Sequence, residues 1–398
     1  MSERRILYIT SRWPGVPVSG TQQRLSHIGR LLQRLGTVRL VVVGHSADAA
    51  RWRARTEEQF DVASFIAVKP SRPAGAIGRL RHEFDPRYLQ TAPMTVDALD
   101  RRVVIDLVHE HDVVWVHGIP TANVLDIYRW PRSVIDIDDI PSQVYRSTAG
   151  VGESLIRRLL NLRMSSIWRR REATLAERFA VVLVCSDDDR RYLGLPRVKV
   201  LPNGFERVAP IESEPATPPR IGYIGTLTYS LNVDGVQWFC RDVWPMIRRN
   251  LPDVRLRLIG EGSEMAREWG DGVEPLGRLD EVGPEMATWS ATIIPVRAGA
   301  GTRIKLAEAF ARRCPVVATA LGAYGYDVHD GEEVFIADEP ERFASRCLDL
   351  IRLPERARGM ADRAHHRFLQ SWTWESYATV VEDAVRAAVQ SGGGPVLT

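Results

Sequence analysis

Short apolar runs of strand length alternate with helix-length segments along most of the chain, and this alternation restricts the fold to parallel α/β sheets. In the first half the strand candidates are Ile6–Thr10, Val38–Val43, Val62–Val68, Val113–His117, Val134–Ile137, Val181–Cys185 and Val198–Leu201. Helices are predicted between them, among them Gln22–Leu35, Thr95–His109 and Ser154–Arg178. The pattern stops at Arg207–Pro219 (RVAPIESEPATPP), which holds four prolines and no apolar period and reads as a linker. It restarts with strand Ile221–Ile224, helix Val233–Asn250 and strand Val254–Ile259. Short helices near Glu264–Trp269 and Glu281–Trp289, strand Ala291–Val296, helix Thr302–Arg313 and strands Val316–Thr319 and Val334–Ile336 follow. At 398 residues the chain exceeds one compact core. The expected architecture is two doubly wound Rossmann-like domains, 1–206 and 220–370, joined by 207–219, with ligands bound in a cleft at the carboxyl edges of the sheets. Residues 371–398 are expected to form a helix returning to the first domain, plus a tail.

The stretch ATIIPVRAGAGTRIKLAEAFARRCPVVAT, Ala291–Thr319, carries the strongest chemical signal. A buried strand runs into a loop with Gly299 and Gly301, and a helix follows. Helix N-termini carry partial positive charge and favour acidic side chains. Here the first turn holds Arg303 and Lys305 instead, beside free backbone N–H groups of a glycine loop. That arrangement is unfavourable alone and favourable once an anion such as a diphosphate docks. One turn on, Glu308 stands among Leu306, Ala307, Ala309 and Phe310, where an unpartnered carboxylate is costly. Its two acceptor oxygens suit a vicinal diol such as a ribose. The plainer alternative keeps Arg303 and Lys305 solvated and pairs Glu308 with Arg312, four residues on. Taken together, at the carboxyl end of a strand, these residues point to nucleotide binding.

Composition excludes several classes. An apolar fraction of 44% and a charged fraction of 26% are those of a globular protein in water, and a net charge of +3 gives no case for nucleic acid. Cys185, Cys240, Cys314 and Cys347 are widely spaced, so no disulfide framework or zinc site is expected. The N-terminal apolar run is too short for a signal peptide, and no window reaches the roughly 20 apolar residues that span a bilayer. A cytoplasmic location is expected. The loop Ser11–Thr21 lacks the Gly-Lys-Ser/Thr of a P-loop, and Gly260-x-Gly262 lacks the third glycine of a dinucleotide fingerprint.

Six segments resemble GT-B-fold retaining glycosyltransferases of family 4, in the branch that assembles polysaccharides and cell-surface glycans. IGYIGTLTYSLNVDGVQWF (Ile221–Phe239) resembles the first strand–loop–helix of the donor domain, and LRLIGEG (Leu256–Gly262) with EPLGRLDEV (Glu274–Val282) resembles the parts flanking the base. GAGTRIKLAEAFARRCPVVAT (Gly299–Thr319) resembles the pyrophosphate–ribose element, LPNGF (Leu201–Phe205) the approach to the linker, and SWTWESY (Ser371–Tyr377) the final crossing. The resemblance implies a nucleotide-sugar co-substrate, no cofactor and no metal. It implies donor binding by Gly20, Gly225, Thr226, Gly262, Arg278, Leu279, Gly299, Gly301, Thr302 and Glu308. Arg303 and Lys305 would stabilise the departing diphosphate, with His117 and Asp138 near the reacting sugar. For His117 a satisfied histidine at a strand end is the competing reading. Two departures stand out. The family's usual first Glu of the ribose element falls at Ala300, and the loop after the first donor-domain strand offers uncharged Thr226 and Asn232 where many members have Arg and Lys.

The implied reaction moves a sugar with retention to a glycan, lipid-linked or small-molecule acceptor. A nucleotide-sugar 2-epimerase of the same architecture and a non-catalytic sugar-nucleotide-binding protein are the alternatives. Ser154–Phe179 adds seven arginines, Arg169–Arg171 among them, interleaved with Leu155, Ile156, Leu159, Leu160, Met164, Ile167 and Trp168. This suits contact with an anionic membrane surface at the inner face, or equally a buried amphipathic helix with solvated arginines. Nucleic acid is not expected, since no stacking platform accompanies the cluster.

Overall fold

The computed structural model describes residues 4–397 other than 16–18, 72–74, 90–93, 152–153, 210, 213 and 393. The chain forms two compact units. The first comprises 1–149, 154–202 and 377–398, and the second 150–153 and 203–376.

Seven parallel strands build the sheet of the first unit. β1 (Arg4–Thr10), β2 (Gly36–Gly44) and β3 (Asp61–Ala67) are followed by a small antiparallel pair, β4 (Lys69–Pro70) and β5 (Met94–Thr95). β6 (Val113–His117), β7 (Ser133–Ile137), β8 (Val181–Val184) and β9 (Val198–Val200) complete the sheet, in the order β3-β2-β1-β6-β7-β8-β9. β6, β7 and β8 are buried throughout, as strands covered on both faces must be, and this is why they read as unbroken apolar runs. In the second unit β10 (Arg220–Ile224), β11 (Arg255–Ile259), β12 (Val273–Gly277), β13 (Ala291–Ile294), β14 (Val316–Ala318) and β15 (Phe335–Ile336) form a six-stranded parallel sheet, β12-β11-β10-β13-β14-β15. Both sheets reverse their winding direction beside a central strand, the doubly wound pattern expected from the alternation.

Several boundaries differ from the sequence reading for identifiable reasons. The segment Val233–Asn250 is not one helix. It runs as Ser230–Trp238, a π-helical turn Phe239–Val243, and Trp244–Asn250. Pro245 has no N–H to donate into a regular ladder, and the widened turn absorbs that loss. Thr95 belongs to β5, so the following helix starts at Ala98 after Asp97. The helix expected over Ser154–Arg178 ends at Glu172, and a short helix Leu175–Arg178 follows.

The proline-rich stretch does not hang between the units as a free tether. The amides of Ile211, Glu214 and Ala216 donate to the carbonyls of Arg312, Ala287 and Thr288 at 3.3, 2.8 and 3.0 Å, which fastens it along the second unit. Phe205 is held by Trp372, its amide donating to the Trp372 carbonyl at 3.0 Å, and Trp372 joins the core around Phe310 and Tyr326. The chain therefore leaves the first unit after Pro202 and returns at Tyr377. The last helix, Ala378–Gln390, buries Val381, Ala384, Val385 and Ala388 and packs against β6, β7, β8 and the first helix, Gly20–Gln33.

Candidate functional site

Loops at the carboxyl ends of β10, β11 and β13 converge within the second unit. β13 ends at Ile294, and the chain then passes Gly299 (φ 125°) and Gly301 (φ 70°) before the helix Ile304–Ala311, with Arg303 at its N-cap. Glycine is required at 299 twice over: the backbone lies in the left-handed region, and an added Cβ would sit 2.7 Å from Arg303 Nη2. The Arg303 guanidinium lies in that space. Its Nε and Nη2 are buried without a hydrogen-bond partner among the described residues.

Lys305 reaches back to β10. Its Nζ donates to Tyr223 Oη at 2.9 Å and to Asn232 Oδ1 at 3.1 Å, and lies 4.6 Å from the centre of the Tyr223 ring. All of these partners are neutral. Burial, reinforced by the charge of Arg303, lowers the Lys305 pKa from its ordinary value to about 7. Asn232 also donates to the Thr226 carbonyl at 2.8 Å, so one amide joins the loop after β10 to the lysine. Gly225 packs against both: an added Cβ would lie 2.6 Å from Tyr223 Oη and 3.1 Å from Lys305 Nζ. Neither Arg303 nor Lys305 forms an ion pair among the described residues, whereas most arginines of this unit are paired. Two cations beside a glycine loop, with neutral or absent partners, make a site short of negative charge.

Glu308 stands one turn along the same helix. Its carboxylate pairs with Arg312 at 3.2 Å, and both side chains are largely buried. Burial pushes the Glu308 pKa up and Arg312 draws it back only in part. The pairing that sequence spacing offered as the plainer alternative is thus formed, and one carboxylate oxygen is committed to it. Thr302 is likewise engaged: its Oγ1 accepts from the Asn203 amide at 3.2 Å and its carbonyl from Asn203 Nδ2 at 3.1 Å. This ties LPNGF to the glycine loop. Tyr326 Oη, donating to the Asn203 and Arg303 carbonyls at 3.2 and 3.1 Å, braces the same corner.

The remaining residues expected at the donor site are more dispersed. Gly262, with φ 79°, caps the short 3₁₀ turn Ser263–Glu268. Gly260 beside it must be glycine because its Cβ would meet the Gly225 carbonyl oxygen at 2.1 Å. Arg278, just past β12, is exposed, and Leu279 is half-buried against the apolar cluster that includes Leu306 and Phe310. No local sequence pattern marks Tyr223 or Asn203, because both act through contacts far apart in sequence.

In the first unit, the expected candidates form their own cluster at the carboxyl ends of β6 and β7. His117, buried at the end of β6, sits 3.4 Å from Asp138. Burial disfavours the charged ring, but Asp138 more than offsets this and the His117 pKa is raised. The Asp138 pKa is correspondingly low: burial acts against it, and His117 and Arg24 prevail. Beneath them Arg24, on the first helix, makes a fully buried ion pair with Asp136 at 2.5 Å and donates to the Leu201 and Pro202 carbonyls at 3.0 and 3.2 Å. Gly20 is the first residue of that helix, behind the Ser19 N-cap. The loop preceding it includes residues 16–18, which lie outside the described residues.

Residues 218–352 match the family described as "Glycosyl transferases group 1". An uncharacterised 44.6 kDa protein in the cps region of Klebsiella pneumoniae is 25% identical over 166 residues, covering 39% of this chain and 42% of that relative's length. Among solved structures, sucrose-phosphate synthase from Thermosynechococcus elongatus superposes with a TM-score of 0.68 at 14% identity, covering 98% of this chain and all (100%) of the other. Anabaena HepE in complex with UDP-glucose gives 0.64 at 15% identity over 96% of this chain and 100% of the other. The pneumococcal O-GlcNAc transferase GtfA, solved with UDP and GlcNAc, gives 0.62 at 10% identity, over 98% of this chain and 100% of that one.

Proposed function

Residues 218–352 match the group 1 glycosyltransferases and the chain has the GT-B fold; from that premise we propose that it transfers a sugar, with retention, from a nucleotide-sugar donor to an acceptor hydroxyl. The observation that carries the reading is the pair of unpaired cations, Arg303 and Lys305, at the glycine loop and helix start of the second unit. A leaving nucleoside diphosphate supplies the missing charge.

The same residues support a transfer without a metal. The helix start, the Gly299–Thr302 amides and the two side chains stabilise the developing negative charge that a cation would otherwise meet. In front-face transfer the bond from the anomeric carbon to the diphosphate oxygen breaks as the acceptor oxygen bonds on the same face. The acceptor's proton passes to the departing phosphate oxygen, so no separate general base is needed. Glu308, with its second carboxylate oxygen, is assigned to the ribose. His117 and Asp138 are assigned to the reacting sugar. The acceptor is assigned to glycans, lipid-linked sugars or small hydroxyl compounds.

The test is a panel of UDP-, GDP-, dTDP- and ADP-sugars, with nucleotide release read in the presence and absence of acceptors. UDP-sugars come first, because HepE and GtfA were solved with UDP or UDP-glucose. Acceptor-dependent release, with the anomeric configuration of the product matching the donor, is expected. Isomerised donor without acceptor would establish the 2-epimerase reading instead, and binding without release a non-catalytic one.

A further inference from the structure

Two helices of the first unit, Gly75–Phe84 and Leu155–Glu172, expose apolar side chains that nothing among the described residues covers. Eight of the fifteen exposed large hydrophobic residues among the described residues lie on them, so the exposure is concentrated rather than scattered. Leu155, Ile156, Leu159 and Leu160 are 50–74% exposed, and none of residues 155–160 is buried. Burial begins only in the second half of that helix, where Ser165, Ile167, Trp168, Arg171 and Glu172 face the core. On the shorter helix Ile77, Leu80 and Phe84 follow a three-and-four spacing, each at least 60% exposed.

The arginines sort into two sets. Arg163 bonds Glu83, while Arg170 and Arg171 donate to the Glu83 and His82 carbonyls at 2.6 and 2.7 Å, which holds the two helices side by side. Arg169 donates to the Tyr192 carbonyl at 2.7 Å and covers that ring. Arg169, Arg170 and Arg171 are therefore tied to backbone carbonyls, with Arg171 buried and Arg169 and Arg170 still exposed. Arg163, which interrupts the apolar stripe on a helical wheel, is neutralised by Glu83. Arg79, Arg157 and Arg158 are exposed, without an ion pair among the described residues. They flank the apolar side chains on both helices.

We propose that this two-helix surface docks the protein onto an anionic phospholipid bilayer, with the leucine and isoleucine side chains entering the headgroup layer and Arg79, Arg157 and Arg158 on the lipid phosphates. An apolar face bordered by unpaired arginines is complementary to a layer that is apolar within and negative at its surface. The contact is peripheral, since no helix among the described residues is long and apolar enough to cross a membrane. The docking does not depend on the transfer reaction, and its test needs no turnover.

Vesicle sedimentation decides it, using phosphatidylcholine alone and phosphatidylcholine with roughly one-third phosphatidylglycerol. The protein should pellet with the anionic vesicles only, and less at high salt. Two variants, L155Q/I156Q/L159Q/L160Q and R79Q/R157Q/R158Q, should each lose at least about tenfold in bound fraction; the replaced side chains are all exposed, so melting temperature and nucleotide binding stay close to wild type. A third, R169Q, should bind as wild type does. Equal pelleting of wild type and both multiple variants would overturn the proposal. So would a wild type that ignores both vesicle types, or one that is dimeric until the leucines are replaced, which would make a second copy the occupant.

Discussion

Lys305 holds its amine between a phenol and a carboxamide, and those neutral partners determine how its charge responds to pH. The chain has only three lysines, Lys69, Lys199 and Lys305, so arginine is its ordinary cation and a lysine here is a distinct choice. An arginine would stay charged at any physiological pH; a lysine whose pKa has fallen to about 7 is partly neutral in the empty site. The sign follows directly. Below about 7 the ammonium is charged in both folded and unfolded chains and the fold bears the full cost of burying it. As pH rises from there toward the ordinary lysine value, the unfolded chain holds more protons and stability increases. Binding runs the other way. A docked diphosphate raises the pKa again, so UDP binding near pH 8 should take up protons, and affinity should fall as pH rises through about 7. Calorimetry in two buffers of different ionisation enthalpy measures the uptake. K305R should flatten the profile, and a wild-type affinity constant from about pH 6 to about pH 9 would sink the assignment. Glu308 makes a second prediction. If its free oxygen holds the ribose, E308A should weaken nucleotide binding by about 1.5–3 kcal/mol, whereas R312A should lower stability and leave affinity nearly unchanged. Parallel losses of stability in both variants, with unchanged affinity, would reduce Glu308 to a partner of Arg312.

The strand β10 shows what one element must satisfy at once. It pairs with β11 and β13, supplies Tyr223 to Lys305, and at Gly222 passes under the Trp289 ring. A Cβ at Gly222 would lie 2.0 Å from that ring, whose Nε1 is fixed on Glu285 at 3.0 Å. G222A should therefore destabilise the second unit by roughly 1–3 kcal/mol through overpacking, seen as a lower urea midpoint; an unchanged midpoint would show that Trp289 moves freely. This element also marks how far the sequence could be read. β10 itself was legible because four of its five residues are buried or apolar and a glycine loop follows. Arg303, Lys305 and Glu308 stood out because charges were in the wrong place for a helix start or an apolar face. Tyr223 as the partner of Lys305, Asn203 as the brace of Thr302 and Trp289 over Gly222 were not legible. Each contact joins residues that no periodicity relates. For the same reason the continuous apolar pattern of Val233–Asn250 concealed a π-helical turn, and a proline-rich segment that looks like a tether is bonded along the second unit.

Across the whole molecule the division of the chain is not the division of the sequence. The first unit is assembled from 1–149 and 154–202 and, after a 174-residue excursion (203–376), from 377–398. The returning helix is a structural part of that unit, since Val381, Ala384, Val385 and Ala388 are buried against β6, β7, β8 and the first helix. Burying one valine side chain is worth roughly 1.5–3 kcal/mol, and a domain's whole margin is about 5–15 kcal/mol. Losing two buried valines and two alanines therefore removes a large share of that margin. Cut by sequence alone at residues 206 and 371, the second unit would forfeit Trp372, which closes its core against Phe310 and Tyr326, and Asn203, which holds Thr302. The fragment 203–376 should thus fold alone and bind UDP, while 220–370 should melt at a lower temperature and bind weakly. The fragment 1–202 should lack a cooperative thermal transition when expressed by itself and regain one when 377–398 is co-expressed as a separate polypeptide. Calorimetry on the three preparations checks both statements. A cooperative melt of 1–202 alone, at the temperature of the complemented pair, would mean that the last helix merely rests on the sheet, and that the first unit is complete before the chain returns to it.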